Sequence, residues 1–493
     1  MTAGAAGRTT LAAGGERAAA DASAYVADAG GPELLERLRH LDSLRGAQPL
    51  RDRPLPPPVG AATADFDVLI VGGGLSLLLA PLLARRGLRV GVCDRGRIGL
   101  AHREWNGGLA ELAALSATGL FAPSELEDLV VARYREGVCR WHGGGTYPVS
   151  GVLDHAIDAG RLLAHARRKA EEASVTLLDF QELRGAGIGE HHVRVELGET
   201  GDAASPSRTL IARVVVDARG AASPYATADI LCPTVGGVLE GLAEGSGPRE
   251  VDRAVGDILV TTEGVEDGRQ HIWEGFPGRA GETTVYLFYY ARRGDVPPGA
   301  LVSLYARFLA CLPRYKRGAA RLLRPTFGVI PGWSRLAPRP TSPSPRWVLV
   351  GDAAALHSPL TFCGFGSLVR SLGETVACVE RAALGSREML TDTPLHAGTG
   401  FLSLLLATPP RAPRRSQALN ALLDAAFASL HARGDAFYGR LLRDEMTLGE
   451  LSIFLRETAR RRPGVYLDVV RDAKATEVLR WASVVGRGAL GLA

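Results

Sequence analysis

The chain has 493 residues, 46% hydrophobic and 22% charged, a balance that supports a large buried core and excludes wholesale disorder. With 57 basic residues against 53 acidic, the net charge of +4 gives no case for a nucleic-acid partner. No apolar run reaches the roughly 18 residues of a membrane span. The six cysteines (93, 139, 232, 311, 363 and 378) show no Cys-x-x-Cys spacing, so they read as buried thiols in a reducing compartment and not as a metal site.

Residues 1–64 read as a polar tail, a short helix over Pro32–Leu44 and a linker. Residues 1–15 carry Arg8, several small residues and no acid, a pattern similar to an organelle transit peptide that Glu16 and Asp21 end early; it raises the expectation of a plastid location. The linker, Gln48 to Ala61, holds Pro49, Pro54 and Pro56–Pro58, and such a semi-extended stretch marks a boundary. At Phe66 the character changes. Val68–Val71 is a short apolar run ending at Gly72, the pattern of a fully buried parallel strand. A long apolar helix is expected from Leu75 to Arg85, ended by Gly87, and then a second buried strand over Leu88–Cys93, completing a β-α-β unit. Further strands are expected at Val175–Leu178, Val193–Glu196 and Val214–Val216. Alternation in His271–Trp273 and Thr284–Tyr290 suits an antiparallel sheet. Trp347–Val350 is another buried strand. From Ala397 the chain reads as helical, amphipathic near Gln417–His431 and Leu448–Arg460.

The first strand runs into Gly72-Gly73-Gly74-Leu75-Ser76-Leu77. In the dinucleotide fingerprint G-x-G-x-x-G the first glycine makes the turn, the second admits the pyrophosphate and the third packs helix against strand. Gly72 and Gly74 fit, and Leu77 occupies the third place. Asp94 closes the second strand, at the spacing from which a carboxylate meets a ribose hydroxyl. Gly73 and Arg95, beside these positions, join them as cofactor-binding candidates.

Two later segments separate FAD from NAD. Val214–Val216 leads into Asp217-Ala218-Arg219-Gly220, and Trp347–Val350 leads into Gly351-Asp352. Flavoproteins of the glutathione-reductase-like superfamily carry similar strand–turns in this order. The resemblance implies that Asp217, Gly220, Gly351 and Asp352 approach FAD, with Asp352 at its ribityl or pyrophosphate part. The fold class expected is α/β, a Rossmann-like FAD/NAD(P)-binding domain of the glutathione-reductase type. It would be assembled from 65–235 and 336–390, with an inserted antiparallel substrate sheet over 236–335 and a helical region over 391–493.

Three strings are more specific: Arg103-Glu104-Trp105-Asn106, Trp273-Glu274-Gly275-Phe276-Pro277, and His357-Ser358-Pro359-Leu360-Thr361-Phe362-Cys363-Gly364-Phe365-Gly366. They resemble strings of the lycopene cyclases of the CruA/CruP kind, most nearly the CruP branch. The resemblance implies FAD used in its reduced form, NADPH as a candidate reductant, and lycopene or a related carotenoid as substrate. It also implies a redox-neutral ring closure begun by an acid in a water-poor pocket, where desolvation raises a carboxyl's pKa. Glu274 is the first candidate for that acid, shielded by Trp273 and Phe276, and Glu104 the second. Pro359, Gly364 and Gly366 would hold irregular backbone close to the flavin, and His357 reads as a loop histidine. A polyene substrate implies a peripheral membrane surface, for which Phe401–Ala407, flanked by Arg411, Arg414 and Arg415, is the candidate. Two alternatives stand beside this reading: a flavin monooxygenase or prenyl reductase on the same scaffold, and a non-catalytic FAD-binding paralogue associated with plastid membranes.

Overall fold

The computed structural model describes residues 22–46, 52–58, 63–101, 104–202, 204–226, 228–266, 268–334, 342–354, 360, 364–386, 403–408 and 416–464, with a few isolated positions further on. The transit-like residues 1–15 lie outside the described residues, as do Arg103, His357, Pro359, Cys363, Phe401, Arg411, Arg414 and Arg415.

Phe66–Val71 is a central strand buried on both faces. Val68 and Ile70 point into one core and Leu69 and Val71 into another, which is why its apolar run lacks the alternation of a one-sided strand. It pairs in parallel with Val90–Cys93 and with Arg208–Asp217. Thr176–Leu178 extends the sheet beyond Val90–Cys93. On its other edge Arg208–Asp217 pairs first with Val193–Glu199, antiparallel, and then with Trp347–Leu349, parallel. The helices Leu79–Ala84, Ala159–Glu172 and Leu372–Ala383 cover one face. The continuous helix expected over Leu75–Arg85 is instead a 3-10 turn, Leu75–Leu78, followed by α-helix from Leu79. Leu77 stands where a third glycine would permit close helix–strand packing, and its side chain is buried in the core.

A second sheet stands against the first. Ile230–Leu242 lies between Glu282–Phe288 and Gly318–Gly332, antiparallel to both. Ile272–Pro277 and Val255–Val260 follow on the Glu282–Phe288 side, and Glu136–Arg140 and Thr146–Val149 complete that edge. This corrects the boundaries expected from sequence. Ile230–Leu242 crosses the 235/236 division, and residues 136–149 belong to the second sheet although they lie within 65–235. Pairing between Glu136–Arg140 and Val255–Val260 is long-range and leaves no local mark in sequence. A small third sheet, Glu104–Gly107, His155–Asp158 and Val130–Arg133, bridges the two.

The substrate-sheet region also contains a helix, Ala300–Tyr315, that packs Leu301, Tyr305, Phe308 and Leu312 against the outer face of the second sheet. Two helices, Ala22–Gly30 and Pro32–Gly46, join the same core. The Asp42 carboxylate accepts from the Leu301 and Val302 N–H groups at 3.1–3.3 Å, capping a helix remote in sequence. The proline-rich linker is also held: Arg53–Pro54 adds as a parallel edge strand to Gly185–Ala186.

The helices Ala418–His431, Asp435–Leu442 and Leu448–Arg461 close the far side of the second sheet. Leu404, Leu405, Leu406 and Ala407 are buried among them. The expected docking of this stretch on a bilayer is therefore corrected for its described part: its apolar side chains are spent on the protein's own core. Among the described residues no helix is long and apolar enough to cross a membrane. Cys93, Cys139, Cys232 and Cys378 are buried thiols, and Cys311 is half-buried.

Candidate functional site

A cavity of about 350 Å³ lies where the carboxyl ends of the first sheet's strands meet the second sheet. This is the position at which open α/β sheets hold ligands, and the volume is that of a small-molecule site. Three strand–turn segments, Gly74–Ser76, Ala218 with Gly220, and Val350–Asp352, converge on it with the start of the helix Gly364–Arg370. The second sheet contributes Thr234, Glu274, Tyr286 and Thr326–Ile330, and the third sheet Glu104–Asn106.

The three glycines of the first turn have different tasks. Gly72 has φ +121°, and a Cβ there would stand 2.5 Å from the Ala218 carbonyl oxygen, so only glycine lets the two paired strand ends lie this close. A Cβ on Gly73 would meet Ile98 at 2.7 Å. At Gly74 nothing lies within 4 Å, and this glycine borders the cavity. Room is thus left at the position where the fingerprint brings a pyrophosphate. Asp94 accepts from the Gly73 N–H at 2.6 Å and the Gly96 N–H at 2.7 Å, one bond to each oxygen. Each oxygen keeps a second lone pair with which to accept from a ribose. Arg95 next to it is exposed. Gly220 (φ +61°) and Gly351 (φ +56°) are both in the left-handed region, and both border the cavity with Asp352. These features fit the dinucleotide part and the flavin part of FAD.

Asp217 does not reach the cavity. It is fully buried and bonded to Arg219 (3.0 and 2.7 Å), the Ser223 hydroxyl (2.8 Å) and the Trp347 indole N–H (3.3 Å). Its expected role as a cofactor ligand is corrected to that of an anchor: it holds Arg219, and Arg219 precedes the cavity-lining Gly220. Asp52, from the proline-rich linker, grips the same guanidinium at 2.7 and 3.0 Å. Gly364 borders the cavity, whereas Gly366 lies behind it, where a Cβ would meet Arg370 and Glu111 at 2.7 and 3.0 Å.

Glu274 and Glu104, far apart in sequence, line the same cavity. Their surroundings differ. Glu104 lies 2.7 Å from the Arg324 guanidinium; burial raises its pKa and Arg324 opposes the rise. Glu274 is pushed up to about 8 by burial, and the Asn106 amide, 3.4 Å from Oε1, opposes this only in part. Among the described residues eight acids are buried. Seven have a basic partner: Asp67 with Arg89, Glu104 with Arg324, Glu111 with Arg370, Asp154 with His155, Asp158 with Arg279, Asp217 with Arg219, and Asp257 with Lys316. Glu274 alone has none, which leaves it a neutral acid at pH 7.

The expected shield of Glu274 is corrected too. Trp273 faces the opposite side of its strand and stacks on Tyr315 at 4.7 Å. Phe276 packs with Tyr134 and Tyr286, away from the cavity. The aromatic wall comes instead from Tyr286, Phe327 and a stacked pair, Trp105 and Phe365, with ring centroids 4.9 Å apart. Trp105, Asn106 and Phe365 lie inside the specific strings, so their sequence signal was present. Tyr134, Arg324 and Phe327 carried none.

Comparison with protein-family models finds no match, and neither does comparison with curated proteins. Among solved structures the chain is similar to a geranylgeranyl bacteriochlorophyll reductase-like protein from Thermoplasma acidophilum, at 15% identity over 83% of this chain and 99% of that one, with a TM-score of 0.52. It is similar to a flavoprotein/dehydrogenase from Cytophaga hutchinsonii at 12% identity over 83% and 100%, with a TM-score of 0.54. It is also similar to the halogenase PltM, in complex with phloroglucinol and FAD, at 12% identity over 87% and 93%, with a TM-score of 0.50. At such identities the likeness shows the fold, which is the FAD-binding Rossmann-type flavoprotein fold expected from sequence.

Proposed function

We propose that the chain is an FAD-dependent enzyme that closes a ring at the end of lycopene or a related linear carotenoid without net redox change. The observation that supports this most is Glu274, a buried acid with no cationic partner, on the wall of the cavity that the Gly74, Gly220, Gly351 and Asp352 turns also form. In this reading Gly72, Gly73, Gly74 and Asp94 hold the dinucleotide part of FAD, and Gly220, Gly351, Asp352 and Gly364 its flavin part. Reduced FAD, with NADPH the candidate reductant, would supply electron density beside the reacting carbons. Glu274 gives its proton to the terminal double bond. The resulting cation is attacked by the next double bond, which closes the ring, and a ring proton then leaves to a carboxylate. The Trp105 and Phe365 faces stabilise the cation, and the apolar strand Phe327–Ile330 excludes water. The reading places the chain at a membrane surface, where a polyene dissolves, with the plastid as its proposed location.

The same acid serves a prenyl reductase, in which a proton and a hydride add across the double bond. One experiment separates the readings. The purified protein is examined for flavin absorbance, reduced without oxygen and given lycopene in detergent micelles, and the products are resolved by chromatography and mass. A cyclic product of unchanged mass, lost by about 100-fold or more in Glu274→Gln, is the expected result. A product two hydrogens heavier assigns the reductase, and oxygen uptake with NADPH assigns the monooxygenase. Bound FAD with no product, and no effect of Glu274→Gln, assigns the non-catalytic paralogue.

A further inference from the structure

We infer that Asn106 is a positioning residue that assigns the acid proton of Glu274 to Oε2, and that Tyr134 sets the direction in which Asn106 points. The inference rests on Glu274 being the acid of the proposed reaction. The Tyr134 hydroxyl donates to Asn106 Oδ1, and Asn106 Nδ2 donates to Glu274 Oε1 at 3.4 Å. A carboxamide has one accepting and one donating end. A hydroxyl that occupies the oxygen leaves the NH2 group to face the carboxyl. The carbonyl oxygen is the stronger acceptor of a carboxyl, so an N–H on Oε1 favours the tautomer with the proton on Oε2. Oε2 has no partner among the described residues, and with Glu274 on the cavity wall it is the atom assigned here to pass a proton into the cavity. In the step itself the O–H pair stays on Oε2 as the proton joins the terminal carbon, and the Asn106 N–H then bonds a carboxylate in place of a carboxyl.

The electrostatic surroundings leave this hydrogen bond as the main adjustable influence on Glu274. Burial keeps Tyr134 and Tyr315 well above their ordinary range and pushes Cys139 up to about 12, so all three are neutral. Asp154, near Tyr134, is paired with His155. Asp257, on the neighbouring strand, is paired with Lys316 at 2.8 Å and bonded by the Tyr315 hydroxyl at 2.7 Å. Across the cavity the Glu104 and Arg324 charges offset each other.

Infrared spectroscopy of the full-length protein over a pH series tests this without substrate. The band of the protonated Glu274 carboxyl is identified by its loss in Glu274→Gln. In Asn106→Leu the carbonyl frequency is expected to rise, because its donor is gone. The pH at which the band disappears is expected to rise by about one unit, because a hydrogen bond to the charged form is lost. Tyr134→Phe, which keeps the ring and its packing, should shift both in the same direction by less. A titration that moves down in Asn106→Leu would mean that the carboxyl donates to a reversed amide, and would overturn the assignment. No movement in either variant would overturn it as well. Because the readout needs no polyene, the shifts can hold while lycopene is not converted, in which case only the reaction assigned to the site fails.

Discussion

Replacing Glu274 by Gln should remove a pH dependence from the stability of the protein as well as its activity. The carboxyl ordinarily titrates near 4.5 and is raised in the folded chain to about 8. The folded state therefore binds this proton more tightly than the unfolded state does. Between those two values the native protein holds more protons, so unfolding free energy falls as pH rises. The contribution is intact below the unfolded pKa and is lost progressively until pH passes the folded one. At about 1.4 kcal/mol per unit, the whole window is worth about 5 kcal/mol. Gln is a neutral isostere of the protonated acid and has no such dependence. Urea denaturation of both proteins across pH 5 to 9, followed by tryptophan fluorescence, reads the difference. Near pH 5 the two should be close in stability. By pH 9 the variant should be the more stable by several kcal/mol, with most of the gap opening between pH 5 and 8. A constant offset across that range would refute the reasoning, because it would mean that Glu274 titrates as an ordinary exposed acid.

Gly72→Ala should abolish flavin retention, since the added carbon would stand 2.5 Å from the Ala218 carbonyl at a φ of +121°; flavin absorbance that survives purification would argue against this close approach of the two strand ends. Asp52→Ala should lower stability by about 1–3 kcal/mol and weaken FAD binding, because it leaves Arg219 with Asp217 as its remaining carboxylate partner; an unchanged melting temperature would detach the linker from the nucleotide half. Leu405→Asp should unfold or aggregate the protein, because Leu405 is buried in the core beneath the C-terminal helices. A soluble, folded variant that merely leaves membranes would restore the bilayer role of that stretch.

The cofactor half was legible because its signals are local. A buried strand that ends in Gly72-Gly73-Gly74, a second that ends at Asp94, and a third that ends at Gly351-Asp352 each carry strand and turn within one short string. Glu104 and Glu274 also lie in short strings and both line the cavity, but the shield expected for Glu274 is not the one present. Successive strand residues point to opposite faces, so Trp273 had to leave the face of Glu274, and it stacks on Tyr315 beneath the helix Ala300–Tyr315. Asp217 was misread because part of what fixes it is distant in sequence: Trp347, on the returning strand, donates to it, and Asp52, from the linker, holds the Arg219 that bonds it. Arg324 and Phe327 sit on Gly318–Gly332, a long strand whose pairing with Ile230–Leu242 no short pattern reveals. Phe401–Ala407 shows the limit of composition. An apolar run flanked by arginines has the same appearance at a membrane surface as in a core, and packing alone distinguishes them.

Glu274 stands apart from the protein's other buried acids. A buried carboxylate is costly unless a cation or several hydrogen bonds compensate it, and among the described residues each of the other seven buried acids has a basic partner. Asp217 has Arg219, Asp257 has Lys316, and Glu111 has Arg370. At Glu274 the strand sits in the middle of a sheet, directly opposite Tyr286, where an apolar residue would pack without penalty. Gly275 next to it is constrained as well, since a Cβ there would meet the Tyr315 hydroxyl at 2.5 Å. The local structure therefore gains nothing from an acid at this position, and the acid receives one weak hydrogen bond in return. A carboxyl that neither stabilises the sheet nor is stabilised by it fits the proposed reaction, in which its neutral form holds a proton at the cavity wall for a substrate.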